Sequence, residues 1–341
     1  MNVLNSGVNP SGSAITKNGR ILIVANNNNY GIAGEDSVSI FDLKNGRNSK
    51  LLKHSSFAEP YTVTIDEKRR LAYVTNSASP IKGQTNGIIT LISLKSYEVV
   101  GTIMSDQLDG PSGMVIVDKY AFINNYGAAG GVGSGNGKSI VVYDLDLKKV
   151  VNAFEVPLAP AAMVMRNKHL VVACYTTGLP DEGMVAIYKT KGSDVNLISK
   201  IDGLFGPFAV AVSKDNQYIY ATNFGSNNFA PFGRSLAMID ISGKVSTVDI
   251  GIQPSGLALT KDGKYIIVSC YNTLYTEPNY NGLTAGMGTL VYIRTSDHKV
   301  IKTIKTGRSP SNIILSPDDK YSYVSCYSDN IVDVIDNFGD Q

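Results

Sequence analysis

The sequence has no tryptophan, and it has only three cysteines and three histidines among 341 residues. It also has no excess of one charge sign, because 31 lysines and arginines face 29 acidic residues and leave a formal charge of +2. This balance gives no electrostatic reason to expect a nucleic acid or an anionic membrane as a partner. No apolar run approaches the ~20 residues that a membrane-spanning helix needs. Hydrophobic residues make up 43% of the chain, which is typical of a folded globular protein.

Seven prolines, about 50 residues apart, mark an internal repeat. They are Pro10, Pro60, Pro111, Pro160, Pro207, Pro254 and Pro310. Each is followed by a short alternating strand, a tight polar turn and a second strand, and then by a loop of variable length and two further strands. Four strands in each period are typical of a β-propeller blade, and no helical periodicity of useful length is present.

The two ends of the sequence predict how many blades there are and how the ring closes. The seventh repeat starts at Pro310 and stops after its third strand, whereas residues 2–8 precede the first repeat as an additional strand. We therefore predict an all-β fold in which seven four-stranded antiparallel blades form one domain over residues 1–341. Residues 2–8 are expected to complete blade seven, which would remove the open sheet edges.

Short motifs in the repeats resemble a known family. Residues Tyr73–Asn76 spell the Tyr-Val-Thr-Asn motif of the YVTN family of β-propeller repeats, and Tyr220–Asn223 nearly repeats it. The Ser316–Asp319 turn and the Pro-Ser-Gly segments at Pro111 and Pro254 are also similar to that family and to the lactonase-like seven-bladed group. Without tryptophan, the chain is a poorer match to the Trp-Asp class. The resemblance implies the fold but little about activity, since such propellers include enzymes, electron-transfer subunits, surface proteins and binding scaffolds.

The loops that follow the second strands are predicted to carry the functional site. In antiparallel blades these loops lie on the same face as the crossings between blades, and we call this the loop face. The short charged turns lie on the opposite face, which we call the turn face. The loop face is rich in tyrosine, phenylalanine, asparagine and glycine and poor in charge, which suits a polypeptide, a glycan or an uncharged small molecule. The candidate ligand-binding residues are Tyr30, Tyr126, Tyr175, Phe224, Tyr271, Tyr275, Tyr327, Asn125 and Asn272. The alternative is that these aromatic residues only pack the loops together.

Three functions remain open from the sequence. The first is a non-catalytic binding or scaffold propeller without a cofactor, whose ligand lies over the mouth of the central channel. The second, implied by the resemblance, is a lactonase-like or isomerising enzyme in which an arginine stabilises an oxyanion and a carboxylate moves a proton. Its candidate residues are Arg234, Arg308, Glu35, Glu182 and Glu277. The third is an oligomeric surface or coat component, although the sequence does not determine the oligomeric state.

Metal and phosphate sites are not expected. Asparagine carbonyls in residues 26–29 could serve a calcium ion together with Glu35 and Asp36, but the spaced Asp/Asn/Gly calcium motif is absent. The glycine-rich segment 127–137 precedes a strand, whereas a phosphate cradle requires the N-terminus of a helix. The histidines His54, His169 and His298 are not expected to share a site, because they occupy different positions in their repeats.

The three cysteines give information about the cellular compartment of the protein. Cys174, Cys270 and Cys326 end the second strands of three repeats, where other repeats carry Asn26, Asn76, Asn124 or Asn223. Equivalent positions lie apart around a ring, beyond the ~7 Å between Cα atoms that a disulfide tolerates. Free thiols, and the lack of a signal-peptide pattern in the first residues, favour the cytoplasm. The resemblance instead implies frequent export, so the localisation stays open.

Overall fold

The computed structural model describes residues 2–28, 32, 34–44, 48–80, 87–127, 137–176, 181–225, 232–272, 274–275, 283–284 and 286–339. The strands of the first half are β1 (Asn2–Asn5), β2 (Pro10–Ile15), β3 (Ile21–Asn26), β4 (Ser37–Asp42), β5 (Asn48–Leu52), β6 (Pro60–Asp66), β7 (Leu71–Asn76), β8 (Ile88–Ser93), β9 (Val99–Met104), β10 (Pro111–Val117), β11 (Tyr120–Asn125), β12 (Ser139–Asp144), β13 (Lys149–Glu155), β14 (Ala159–Arg166) and β15 (His169–Tyr175). Those of the second half are β16 (Gly183–Lys191), β17 (Asp194–Leu204), β18 (Pro207–Val212), β19 (Tyr218–Gly225), β20 (Phe232–Asp240), β21 (Val245–Asp249), β22 (Pro254–Leu259), β23 (Tyr265–Cys270), β24 (Leu274–Tyr275), β25 (Leu283–Thr284), β26 (Met287–Arg294), β27 (Lys299–Arg308), β28 (Pro310–Leu315), β29 (Tyr321–Cys326) and β30 (Ile331–Asp336).

Seven four-stranded antiparallel sheets form the blades, numbered one to seven from β2 onwards. Strands β24 and β25 form a small hairpin in the loop of blade six. The innermost strands β2, β6, β10, β14, β18, β22 and β28 contact one another in that order, and β28 contacts β2 again. These seven strands therefore line a closed central channel. The predicted all-β seven-bladed propeller is confirmed, and the described residues contain no helix.

The N-terminal strand closes the ring as expected. Strand β1 pairs antiparallel with β30, so that Leu4 lies opposite Val332 in the outer half of blade seven. Leu4 is buried and packs with Leu22 of blade one and Tyr323 of blade seven. The contact joins the first and last blades through their cores as well as through backbone hydrogen bonds, and it covers the edge that β30 would otherwise expose.

The asparagine of the Tyr-Val-Thr-Asn motif is a structural link inside its blade. Asn76 accepts a hydrogen bond from the backbone N–H of Ala58 at 3.1 Å and donates one to Oγ1 of Thr90 at 3.1 Å. Asn223 makes the same pair of bonds in blade five, to the N–H of Phe205 and to Oγ of Ser235. The side chain therefore ties the incoming crossing to the third strand, which gives the recurring motif a physical reason in this fold.

The turn face carries a second recurring link, with one exception. In six blades a residue at or just after the end of the third strand donates its N–H to the carbonyl just before the second strand, at 2.8–3.0 Å. The donors are Leu43, Leu94, Leu145, Thr190, Thr295 and Asn337. In blade five the equivalent residue is Ile241, which makes no such bond and is 76% exposed. It lines a cavity of about 420 Å³ between blades four and five, whereas Leu145 is buried in the corresponding place between blades two and three.

Candidate functional site

Six residues at or directly after the ends of the second strands surround the mouth of the channel on the loop face. Their backbone N–H groups donate to the carbonyl of the residue before the blade's proline, at 2.9–3.1 Å. These six residues, which we call the collar, are Asn27, Ser77, Tyr126, Phe224, Tyr271 and Tyr327. The accepting residues all have a left-handed backbone, with φ of 51–57°, and are Asn9, Glu59, Gly110, Gly206, Gln253 and Ser309. One backbone geometry thus fixes a similar starting point for six collar side chains.

Aromatic rings line most of this mouth. The ring centroids of neighbouring pairs lie 5.0–6.1 Å apart, a distance at which aromatic pairs attract one another. The continuous series is Tyr126, Tyr175, Phe208, Phe224 and Tyr271. Beyond Tyr271, the hydroxyl of Tyr327 donates to Oδ1 of Asn27 at 3.4 Å and so joins blades seven and one. The sequence-predicted Tyr126, Tyr175, Phe224, Tyr271 and Tyr327 are therefore brought together.

Tyr61, which is not among the residues predicted from the sequence, lies at the same channel. It follows Pro60 on the innermost strand of blade two and is half-buried. Burial raises the pKa of Tyr61 to about 12. Burial is also the main reason for the raised pKa of Tyr126, Tyr175 and Tyr271, and the charge of an ionised Tyr61 adds to each shift. Tyr61 therefore lies close to phenols of blades three, four and six, and all four are neutral at pH 7.

Several polar atoms at the mouth have no hydrogen-bond partner within the described residues. They include the hydroxyl of Tyr175, which is 1% exposed, and Nδ2 of Asn27, which is 2% exposed. Leaving a buried donor or acceptor without a partner costs ~1–3 kcal/mol, and such groups are normally satisfied by water or by a bound molecule. The mouth thus offers polar groups that the described residues leave without a hydrogen-bond partner.

One side of the collar is acidic. Ser77 has a small side chain, and its Oγ donates to Oε2 of Glu59 at 3.1 Å. The backbone N–H of Glu59 donates to Oδ1 of Asp36 at 2.9 Å. Burial raises the pKa of both carboxyl groups, and the charge of Asp36 raises that of Glu59 further. Neither carboxylate has an ion-pair partner among the residues that the structure describes. The sequence contains one indication that Glu59 is unusual. Of the seven residues that directly precede the repeat prolines, Glu59 is the acidic one.

The other predicted ligand-binding residues differ in their surroundings. Asn125 accepts from the N–H of Asp109 and donates to Oγ of Ser139, and Asn272 links Ile252 with Thr289 in the same way. Both amides are thus engaged within their own blades, as Asn76 is. Tyr30 and Glu277 lie outside the described residues, as does the side chain of Tyr275.

The charged residues of the enzymatic alternative do not converge within the described parts of the chain. Nε of Arg234 lies 3.3 Å from Oδ2 of Asp249, and Nε of Arg308 lies 2.6 Å from Oδ1 of Asp329. Nζ of Lys53 lies 3.0 Å from Oε1 of Glu35. Glu182 is exposed on blade four. Each ion pair is local to its own part of the ring, so these side chains do not assemble an arginine and a carboxylate around one reacting atom.

The cysteines are buried, free and separate. Each lies opposite the first residues of its innermost strand: Cys174 pairs with Pro160, Cys270 with Pro254 and Cys326 with Pro310. Burial raises the pKa of Cys174 and Cys270 to about 12, which keeps both thiols protonated and poorly nucleophilic. The same pairing corrects one equivalence drawn from the repeats, because the residue opposite Pro111 is Asn125 and not Asn124.

The described part of the chain contains neither a group of metal-ligating side chains nor a membrane-spanning helix. There, no three histidine, cysteine, aspartate or glutamate side chains are grouped closely enough to hold a metal ion. Nor do these residues include a helix with the length and apolar character to cross a membrane.

Comparisons with known proteins agree with the fold. No protein-family model matches the chain. The chain is 24% identical over 362 aligned positions to the seven-bladed beta-propeller protein Rv1057 of Mycobacterium tuberculosis, covering 94% of this chain and 80% of that protein. A shorter similarity, 29% over 82 positions, involves Antigen Lp49 of Leptospira interrogans and covers 24% of this chain and 18% of that protein.

Two solved structures have the same architecture. A chain of Kuenenia stuttgartiensis Hydrazine Synthase superimposes with a TM-score of 0.74 at 18% identity, covering 100% of this chain and 99% of that one. A chain of the Mitotic Checkpoint Complex gives 0.71 at 14% identity, covering 99% and 91%. At such identities these similarities establish the fold alone. Because one belongs to an enzyme and the other to a protein assembly, the fold does not decide the function.

Proposed function

We propose that this chain is a non-catalytic binding propeller whose ligand lies over the channel mouth on the loop face. The ligand classes are those suited to the neutral aromatic surface: a polypeptide, a glycan or an uncharged small molecule. The observation that carries the proposal is the unsatisfied hydroxyl of Tyr175, which is buried among aromatic rings of the mouth and lacks a partner in the described structure. A ligand that fills the mouth would supply that partner.

Binding is favoured over catalysis because of what the mouth contains. Its phenols are protonated at pH 7. The half-buried rings of Tyr126, Phe208 and Tyr271 offer a rigid contact area with little conformational entropy to lose. The arginines of the enzymatic alternative lie in local ion pairs, where their charge is already compensated. These features support recognition of a ligand rather than stabilisation of a developing charge.

The proposal is tested by probing the folded protein with a peptide array and a glycan array. Probes captured by the native protein are then measured with Tyr175→Phe and with the double variant Tyr61→Ala/Tyr271→Ala. We expect the single change to weaken capture and the double change to abolish it. Tyr188→Phe is a matched control, because it also removes a buried hydroxyl without a partner, but one that lies between blades next to Phe154.

Full retention of capture by the double variant, with an unchanged circular dichroism spectrum, would overturn the proposal. Loss of capture with Tyr188→Phe as well as with Tyr175→Phe would also overturn it, because the effect would then not be specific to the mouth.

A further inference from the structure

The acidic side of the mouth narrows the choice of ligand. Phe224 packs against Tyr271, and Tyr327 bonds to Asn27 and adds to the raised pKa of Tyr271. Blade two instead contributes the small Ser77 to the collar. The carboxylate of Glu59 lies beside Ser77 and accepts a hydrogen bond from its hydroxyl. The backbone N–H of Glu59 in turn donates a hydrogen bond to the carboxylate of Asp36. The mouth therefore combines aromatic walls with two adjacent half-buried carboxylates.

The negative charge of this pair is not compensated by any ion pair within the described part of the chain. Asp36 accepts hydrogen bonds from the backbone N–H of Glu59 and from the side chain of Asn28, and Glu59 accepts one from a serine hydroxyl. No lysine or arginine of the described residues forms an ion pair with either carboxylate. Two carboxylates held together away from bulk water favour an added positive charge over a neutral group. A cation that approaches them therefore gains more than a neutral ligand of the same size.

The aromatic walls favour the same kind of group. A cation is attracted to the face of a tyrosine or phenylalanine ring, most strongly where water is excluded. Phenol oxygens also accept hydrogen bonds, and the buried hydroxyl of Tyr175 is available for one. An ammonium group has three donors and so matches carboxylates and phenol oxygens together. By contrast, Nδ2 of Asn27 is a donor without a partner and requires an acceptor such as a peptide carbonyl.

We infer that the mouth binds a polypeptide through a protonated primary amine, a lysine side chain directed at Glu59 and Asp36 with its alkyl chain against the aromatic wall. This inference rests on the proposed binding function and identifies the class of ligand. It replaces the neutral ligand that loop composition suggests with a cationic one, because Glu59 lies outside the loops from which that composition was taken.

The test uses three small probes in calorimetric or NMR titrations of the intact protein. Nα-acetyl-lysine amide is the cationic probe, Nα-acetyl-norleucine amide has the same backbone without the ammonium group, and n-butylamine has the ammonium group without the backbone. We expect the lysine probe to bind about tenfold more tightly than the norleucine probe, the ratio for one charge-assisted hydrogen bond. Butylamine should bind more weakly than the lysine probe.

Glu59→Gln is the decisive variant, because blade six already carries glutamine, Gln253, at the equivalent left-handed position with φ of 52°. It should reduce affinity for the lysine probe about tenfold and leave the norleucine probe unchanged. Asp202→Asn removes an exposed carboxylate on the outer strand of blade four and serves as the control, with no change expected.

The other outcomes distinguish a failure of this inference from a failure of the proposed binding function. Equal binding of the lysine and norleucine probes, or insensitivity to Glu59→Gln, would overturn the inference. If an uncharged peptide or a glycan still requires Tyr61 and Tyr271, the proposed function survives that result. If n-butylamine binds as tightly as the lysine probe, the assignment to a polypeptide is wrong.

Discussion

Tyr61 and Tyr271 come from blades two and six, yet the charge of an ionised Tyr61 raises the pKa of Tyr271. The two residues are more than two hundred positions apart in sequence and meet only because seven innermost strands form a closed ring. Their proximity brings phenol groups of opposite blades together at the mouth. The stability and the titration of the protein depend on such local environments.

The fold should lose stability at high pH through the mouth tyrosines. Burial raises the pKa of Tyr61 and Tyr175 from the ordinary value of 10.0 to about 12. Between these pH values the unfolded chain has lost phenol protons that the folded chain retains, so the free energy of unfolding falls as pH rises from 10 towards 12. Thermal unfolding followed by circular dichroism should show a flat midpoint from pH 7 to 9 and a decline above 10. A decline that is equally steep in Tyr61→Phe/Tyr175→Phe would contradict this assignment.

Removing the charge of Glu59 should stabilise the protein. Burial and the neighbouring Asp36 raise the pKa of Glu59, so folding favours its neutral form. Stability is therefore gained as pH falls below the raised pKa and lost as pH rises through it. Glu59→Gln should raise the midpoint of thermal unfolding at pH 7 and flatten its pH dependence above the ordinary glutamate pKa of 4.5. A lower midpoint than the native protein, with the hydrogen bond to Ser77 retained, would argue against an uncompensated charge.

Loss of the motif asparagine should be costly. Asn76→Ala leaves the buried N–H of Ala58 without its acceptor and removes one bond to Oγ1 of Thr90, which keeps its bonds to Ser56. We expect a loss of about 1–3 kcal/mol in the free energy of unfolding, the cost of a buried group without a partner. Urea unfolding measures it. Asn196→Ala on the exposed outer strand of blade four is the control, and its stability should be within ~0.5 kcal/mol of native.

The two equivalent aliphatic residues on the turn face should differ in their contribution to stability. Leu145 is 8% exposed and packs with Ile89 and Ile123, so Leu145→Ala should cost about 2–3 kcal/mol. Ile241 is 76% exposed, so Ile241→Ala should change stability by less than ~0.5 kcal/mol. Urea unfolding of both variants compares them directly. A large loss for Ile241→Ala would mean that this residue fills the cavity beside Ile198 in solution.

The sequence predicts the blades well because repetition is a local property. Prolines about 50 residues apart mark the strand starts, and six innermost strands begin at them, while blade four begins at Ala159. The loop aromatics Tyr126, Tyr271 and Tyr327 could be found in the same way, since each follows the second strand of its repeat.

Other parts of the site could not be found from local patterns. Tyr61 and Glu59 flank a repeat proline, and their positions are typical of a strand start and a turn rather than of a site. Only closure of the ring brings Tyr61 to phenols of other blades. Asn125 and Asn272 have the composition of binding residues, but their amides are engaged with backbone and hydroxyl groups of their own blades. Distinguishing a free amide from an engaged one requires the register of three strands.

Pairing of β1 with β30 also sets an order for biosynthesis. Strand β1 is translated before the blade that it completes, so it waits without its partner while six blades are made. Closing so large a loop is entropically unfavourable until blade seven is present to receive it. Completion of the ring is therefore a late step in folding, and the nascent chain carries an uncovered strand until then.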